Sequence, residues 1–299
     1  MINLTASIWV GALEQGLLYG VMVLGVYITF QVLDFPDLTV DGSFTLGGAV
    51  AARLIYSGYS PWLATFMGLA AGLIAGLCTG LLHTKVRIAP LLAGILMMIA
   101  LYSINLRVMG GKSMLSLLRI DTVFTDIARL GIPKQLVVMA LGLAFIIIIC
   151  YLMFVFLQTE VGLALRATGD NEQMIRSLGV NTNYSKVVGL SLGNGLVGLS
   201  GALVAQYQSF SDAGMGIGMI VVGLASVIMG EVVIGNKTLR RTLIAVVIGS
   251  IIYRIVITFV MRIGLPATDL KLFTAVLVIL AMAMPIVKEK LPAGKASER

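Results

Sequence analysis

TEVGLALRATGDNEQMIRSLGVNTNYSK, residues 159–186, is a long polar interruption between two apolar segments, and the arrangement of the rest of the chain follows from it. Asp170 is placed to cap a short helix from Asn171 to Leu178. Gln173, three positions on, supplies the return half of a capping box, and Gly179 stops the helix. Met174, Ile175 and Leu178 fall on one side of it, with Glu172 and Arg176 elsewhere, which predicts an apolar ridge on an otherwise solvated loop. A ridge of that kind fits a groove on a partner protein.

Outside this loop the chain is apolar. Hydrophobic residues make up 59% of the 299 and charged residues 12%, and the mean hydropathy is +1.01, which excludes a soluble domain. A membrane helix needs about 20 residues. Nine segments are long enough: 9–31, 36–57, 62–83, 88–109, 134–157, 185–208, 213–235, 241–262 and 268–287. They predict an all-α polytopic membrane protein, a single transmembrane domain over residues 1–299. Under an alternating assignment, Lys85, Arg87, Arg166, Arg176, Lys186, Lys237, Arg240, Arg241, Lys288, Lys290, Lys295 and Arg299 share one side. Arg107, Lys112, Arg119, Arg129, Lys134, Arg262 and Lys271 share the other, most of them in one long loop. The first side is cytosolic by the positive-inside rule, so loop 159–186 faces the cytosol and the N-terminus faces out. The net charge of +7 follows from this topology and from anionic lipid, and calls for no nucleic acid. With no basic stretch before the first span, residues 1–31 read as a retained helix and not as a cleaved signal.

An offset of 175 residues superimposes spans one to four (9–109) on spans six to nine (185–287). Span five and the cytosolic loop become the connector. The odd number of spans between equivalent helices gives the halves opposite orientations, the layout of inverted-repeat transporters. Spans two and seven both open on a polar, glycine-bearing stretch, FPDLTVDGSFTLGG from Phe35 and FSDAGMGIG from Phe210. One reading makes Asp41 or Ser43 an ordinary interfacial cap. The other makes span two a broken helix whose Asp37, Asp41 and Ser43 line a translocation pathway, since irregular backbone survives at membrane depth only against protein or water. Asn194, Gln206 and Tyr207 in span six are polar enough to line the same path, and interhelical hydrogen bonds account for them equally well. The glycines at 68, 72, 76 and 80 form a flat packing face.

Ionisable residues inside the spans are Glu14, Arg53, Glu231 and Arg254. The depths of Glu14 and Arg254 allow an intramembrane ion pair. Gly110-Gly111-Lys112-Ser113 fails as a phosphate loop because Leu106 stands where a glycine is required, so ATP hydrolysis belongs to another polypeptide. Gly189-Leu190-Ser191-Leu192-Gly193 matches a nucleophile-elbow string without its strand-turn-helix context, and His83 is the sole candidate base. One histidine also excludes a histidine-rich metal site. Cys78 and Cys150 lie inside apolar spans and read as packing residues.

GLALRATGDNEQMIRSLGV (Gly162–Val180), followed by a span ending GALVAQYQ, resembles the cytosolic coupling segment of permease subunits in binding-protein-dependent ABC importers. The branch is that of branched-chain amino acid and ribose permeases. LDFPDLTVDGSFTLGGAVAA (Leu33–Ala52) is similar to the subgroup that works with aromatic amino acid-type binding proteins. The resemblance implies a type II importer-like permease of the bacterial cytoplasmic membrane. It also implies a second permease copy, two cytosolic ATPases that bind the ATP and Mg, and an extracytoplasmic solute-binding protein. The cargo implied is a small organic solute, an amino acid, with the subgroup pointing to an aromatic one. By the same resemblance Arg166, Ala167, Gly169, Asp170 and Gly179 belong to the coupling element beside the helix read above. The outer loop from Arg107 to Lys134, with Asp121 and Asp126, would receive the binding protein. The chain itself would be no enzyme and would hold no cofactor. The alternative is an ion-coupled secondary transporter using Glu14 or Asp41.

Overall fold

The computed structural model describes residues 2–129, 131–262, 272–276 and 279. Helix α1 (Ile2–Val26) runs without a break into a π-helical turn, Tyr27–Val32. Residues 33–38 then leave helical geometry, with Asp34 at φ 51°, before α2 (Thr39–Tyr56) begins. Ser60 Oγ accepts from the Leu63 N–H, and Pro61 occupies the first turn, so α3 (Pro61–Thr84) starts sharply. Pro90 does the same for α4 (Pro90–Val108). Strand β1 (Met114–Ser116) and α5 (Val123–Ala128) fill the outer loop before α6 (Lys134–Phe156). Next come α7 (Glu160–Asp170) and α8 (Glu172–Ser177), followed by α9 (Thr182–Gln208). Strand β2 (Phe210–Asp212), α10 (Met219–Ile234) and α11 (Leu239–Arg262) complete the described elements.

Among the described residues six helices are long and apolar enough to cross a membrane. The expected spans two and seven are the shorter ones: α2 has 18 residues and α10 has 16. Both begin later than expected, at Thr39 and Met219, because the chain before them is irregular, as the polar, glycine-bearing openings predict. The expected ninth span, 268–287, lies outside the described residues apart from 272–276, which are helical, and 279.

Of the six membrane-length helices, α1 and α9 are the most enclosed. Helix α3 lies on α9 through its glycine face: a Cβ at Gly68 would stand 2.7 Å from the Ala202 Cβ, and one at Gly80 would stand 2.9 Å from the Val187 Cα. Between them, Cβ atoms at Gly72 and Gly76 would overlap the carbonyl oxygens of Asn194 and Leu190. Helix α11 meets α1 in the same manner, with Gly16 against the Ile251 Cα. Large apolar side chains on the outer faces, such as Phe66, Ile74, Ile99, Ile147 and Leu152, are exposed in the isolated chain and suit a lipid environment.

Sequence patterning gives no sign of the small antiparallel sheet that joins β1 to β2, pairing Leu115 with Ser211. It fastens the loop after α4 to the loop after α9. In the same loop both Asp121 carboxylate oxygens accept from Arg129 at 2.7 Å, and Asp126 stands 4.0 Å from the same guanidinium. These groups are exposed and hold the loop's local shape.

Candidate coupling element and buried polar network

The polar loop folds as two helices where the sequence suggested one. Asp170 ends α7, and the cap of α8 is Asn171, whose Oδ1 accepts from the Met174 N–H at 3.0 Å. Two good capping residues stand side by side, and the amphipathic run EVGLALRATGD stays helical through Asp170, so the cap falls one position later than expected. Gln173 makes no capping box. Gly179 does terminate α8, at φ 86°, with its N–H donating to the Arg176 carbonyl.

The apolar ridge is narrower than expected. Met174 is 54% exposed and Leu178 70%, while Ile175 is 8% exposed. Ile175 sits on the inward side of a six-residue helix that leans on the start of α9, so Met174 and Leu178 alone form the projecting knob.

Arg166, Ala167, Gly169 and Asp170 are elsewhere. They line a cleft of about 800 Å³ between α7 and the cytosolic end of the first span, together with Tyr27, Gln31 and Asp34. Helix α7 is fixed there by Leu165, fully buried against Gly189, and by Gly169, whose absent Cβ lets it touch the Val32 carbonyl. Through α7 the polar segment 159–186 is thus seated on the π-helical turn and the irregular segment that follows it.

A second connection runs through α8. Glu172 accepts from Lys186 at 2.8 Å, from Arg176 at 2.9 Å and from Thr182 at 3.1 Å. Burial alone would raise the Glu172 carboxyl; the hydrogen bond and charge of Lys186, with Thr182 and Arg176, outweigh it and hold the group below the usual glutamate range. Lys186 Nζ also lies 3.4 Å from His83 Nε2, and His83 Nδ1 lies 2.8 Å from the Ile88 carbonyl oxygen. Nδ1 carrying the proton satisfies both contacts. The ring of His83 meets Phe35 edge-on at 5.2 Å. From α8 the chain of contacts therefore passes through Glu172, Lys186 and His83 to Phe35, in the irregular segment before α2. None of these four was singled out for coupling in the sequence. In the sequence the lone histidine reads only as a candidate base or metal ligand, although its place just before a basic turn is visible there.

The sequence matches the family described as "Branched-chain amino acid transport system / permease component" over residues 8–283. The chain belongs to this family. It is a permease component of an ABC-type importer, a transport subunit and a multi-pass inner-membrane protein. It is 44% identical over 274 residues, 92% of this chain and 90% of the relative, to the tyrosine transport system permease protein of Clostridioides difficile (strain R20291). An uncharacterized protein of Rickettsia prowazekii (strain Madrid E) is 34% identical over 281 residues, 93% of this chain and 97% of the relative. The autoinducer 2 import system permease protein LsrC of Escherichia coli (strain K12 / DH10B) is 28% identical over 197 residues, 66% of this chain and 56% of the relative. No solved structure matches the permease.

The permease brings three of the expected pathway residues together. Asp37 is fully buried; its Oδ1 accepts from the Thr39 N–H at 2.9 Å and its Oδ2 from Asn194 Nδ2 at 2.6 Å. Ser43 Oγ donates to Asn194 Oδ1 at 2.7 Å. Asn194 thus ties the irregular segment and α2 to the middle of α9. Asp41 does something different. Its carboxylate accepts from the backbone N–H groups of Gly218 at 2.8 Å and Ile220 at 2.9 Å, capping α10 from across the bundle. The two irregular openings therefore meet at Asp41. It also lines a largely apolar cavity of about 380 Å³ with Thr45, Tyr102 and Asn105.

Gln206 and Tyr207 lie at the far end of α9, about 18 Å along the helix from Asn194 at 1.5 Å per residue. Gln206 accepts from the Val123 N–H and donates to Thr65 Oγ1, so it pins α5 and α3 to α9. Tyr207 donates to Glu14 Oε2 at 3.0 Å. Both act as interhelical ties in this chain.

Glu14 and Arg254 do not pair in this structure, contrary to their matched depths. Arg254 instead lies over the Tyr19 ring, 3.5 Å from its centroid, and reaches Gln15 Oε1 at 3.4 Å. Depth along two spans says nothing of which way each side chain faces, and the aromatic face took the cation. Ser191 donates to the Leu73 carbonyl at 2.8 Å from within α9, while both ring nitrogens of His83 are engaged elsewhere. Ser191 and His83 do not pair in this structure.

Proposed function

We propose that this permease moves an amino acid, and specifically an aromatic one, into the cell as one of two identical copies, with ATP and Mg held by separate cytosolic ATPases. The name of the clostridial relative, a tyrosine transport permease 44% identical to this chain, supports the cargo. An extracytoplasmic binding protein delivers the solute to the outer loop around Asp121 and Asp126. The observation that carries the coupling role is the exposed pair Met174 and Leu178, on a helix braced through Glu172, Lys186 and His83 to the segment that opens α2. Closure of the ATPases pushes α8, and the push reaches that segment through both α7 and His83.

The packing also supports the reading of two inverted halves, 9–109 and 185–287, around the coupling loop 159–186. At the 175-residue offset, α1 corresponds to α9 and α3 to α11, and α3 packs on α9 as α11 packs on α1. Asp37 accepts from the N–H two residues on, and so does its equivalent Asp212, from Gly214 at 2.7 Å. Two halves of opposite orientation give a central site that opens to either side in turn.

Met174→Asp combined with Leu178→Asp tests the docking role. Both side chains are exposed, so insertion and thermal stability should stay within about 0.5 kcal/mol of wild type. Recovery of the ATPase subunit in pull-downs should fall at least ten-fold, on the order of 1.4 kcal/mol or more of binding. Recovery at the wild-type level would remove α8 from the interface. Ile175 is left untouched because its burial would confuse docking with folding.

A further inference from the structure

We propose that the cytosolic ends of α6 and α11 form a binding site for one anionic phospholipid, with Arg240 taking the headgroup phosphate and the groove beneath it taking an acyl chain. The groove, about 340 Å³, is lined by Cys150, Tyr151, Phe154, Arg240, Leu243 and Ile244. Phe154 stands two residues before the end of α6 and Arg240 is the second residue of α11, so the cation lies where the bilayer meets the cytosol. Cys150, Tyr151, Leu243 and Ile244 lie one turn deeper. Tyr151 and Ile244 are 67% and 54% exposed, so the groove opens sideways, away from the bundle.

Charge decides the occupant. The Arg240 guanidinium lies over the Phe154 ring, 4.6 Å from its centroid, which holds it at the head of the groove. Arg240 has no acidic partner among the described residues; their ion pairs involve Arg129, Arg176 and Lys186. Lys237, in the bend before α11, and Arg241, the next residue of α11, are near it in the chain and add to the positive field. A held cation above an apolar, laterally open slot is complementary to a phosphate joined to a hydrocarbon tail. A zwitterionic lipid brings its own ammonium into this field and fits less well.

The test uses full-length permease in vesicles of equal phosphatidylglycerol and phosphatidylcholine, extracted in mild detergent, with bound lipids counted by native mass spectrometry. Wild type is expected to retain phosphatidylglycerol over phosphatidylcholine. Arg240→Gln should reduce that preference about five-fold, the factor for one cation near a membrane surface. Arg107→Gln, which removes an exposed cation at the opposite end of the bundle, should leave it unchanged. Equal retention of the two lipids by wild type overturns the site, and so does an undiminished preference in Arg240→Gln. A shift from dimer to monomer in Arg240→Gln with lipid retention unchanged would also overturn it, because a second copy would then be covering the groove.

Discussion

Gly72→Val is expected to abolish recovery of folded permease. A Cβ at position 72 overlaps the Asn194 carbonyl oxygen and approaches Gly195 Cα to 3.1 Å, so the α3 and α9 backbones would have to separate. Helix α9 has no room to retreat. On its other side Gly201 already touches the Phe44 carbonyl of α2, and Gly198 touches the backbone of α2 at Gly47. Overpacking of a side chain that can adjust costs about 1–3 kcal/mol. Overlap of a Cβ with a backbone carbonyl, which cannot move aside, belongs at or beyond the upper end, a large part of a total stability of about 5–15 kcal/mol. Size-exclusion profiles of detergent-extracted protein should lose the monodisperse peak, whereas Leu77→Val, on the 42% exposed lipid side of the same helix, should keep it. A wild-type profile for Gly72→Val would mean that α3 and α9 do not pack as described.

Asn194→Leu should have the second largest effect, with shape nearly preserved. The substitution removes the donor to Asp37 Oδ2 and the acceptor of the Ser43 hydroxyl at a place without solvent. Asp37 keeps one partner, the Thr39 N–H. A buried carboxyl group that loses a partner, together with an unpaired hydroxyl, costs about 3 kcal/mol or more. Asp37→Asn retains an acceptor for the Thr39 N–H and should cost less. Thermal unfolding of the two variants in one detergent gives the order directly. Equal midpoints for wild type and Asn194→Leu would show that the network does not hold the segment before α2.

How much of this was legible in the sequence depends on whether the signal is local. The glycines of α3 repeat every fourth residue, so their packing face could be read without knowing that α9 receives it. The irregular openings of α2 and α10 were readable because Pro36, Asp37, Gly214, Gly216 and Gly218 interrupt runs that a continuous lipid-facing helix would keep apolar. The π-helical turn over YITFQV carries no such mark. The shift of the α8 cap from Asp170 to Asn171, and the inward turn of Ile175, depend on how α7 and α9 seat a six-residue helix. Partner choice was the least legible. Arg254 goes to Tyr19 and not to Glu14, and Asp41 caps a helix that starts 178 residues later, at Met219; both pairings are set by the tertiary fold. His83 shows the same limit: its identity was visible, but its position between Lys186 and Phe35 was not.

Drive from a separate ATPase through the cytosolic helices, as proposed above, is decided by tyrosine uptake into proteoliposomes that hold the permease, its ATPase and the binding protein, with and without internal-facing ATP, against permease alone under a proton or sodium gradient. Uptake is expected only in the complete ATP-fed system, and should be lost when Met174→Asp and Leu178→Asp are combined. Uptake by the permease alone under an ion gradient would contradict the proposal.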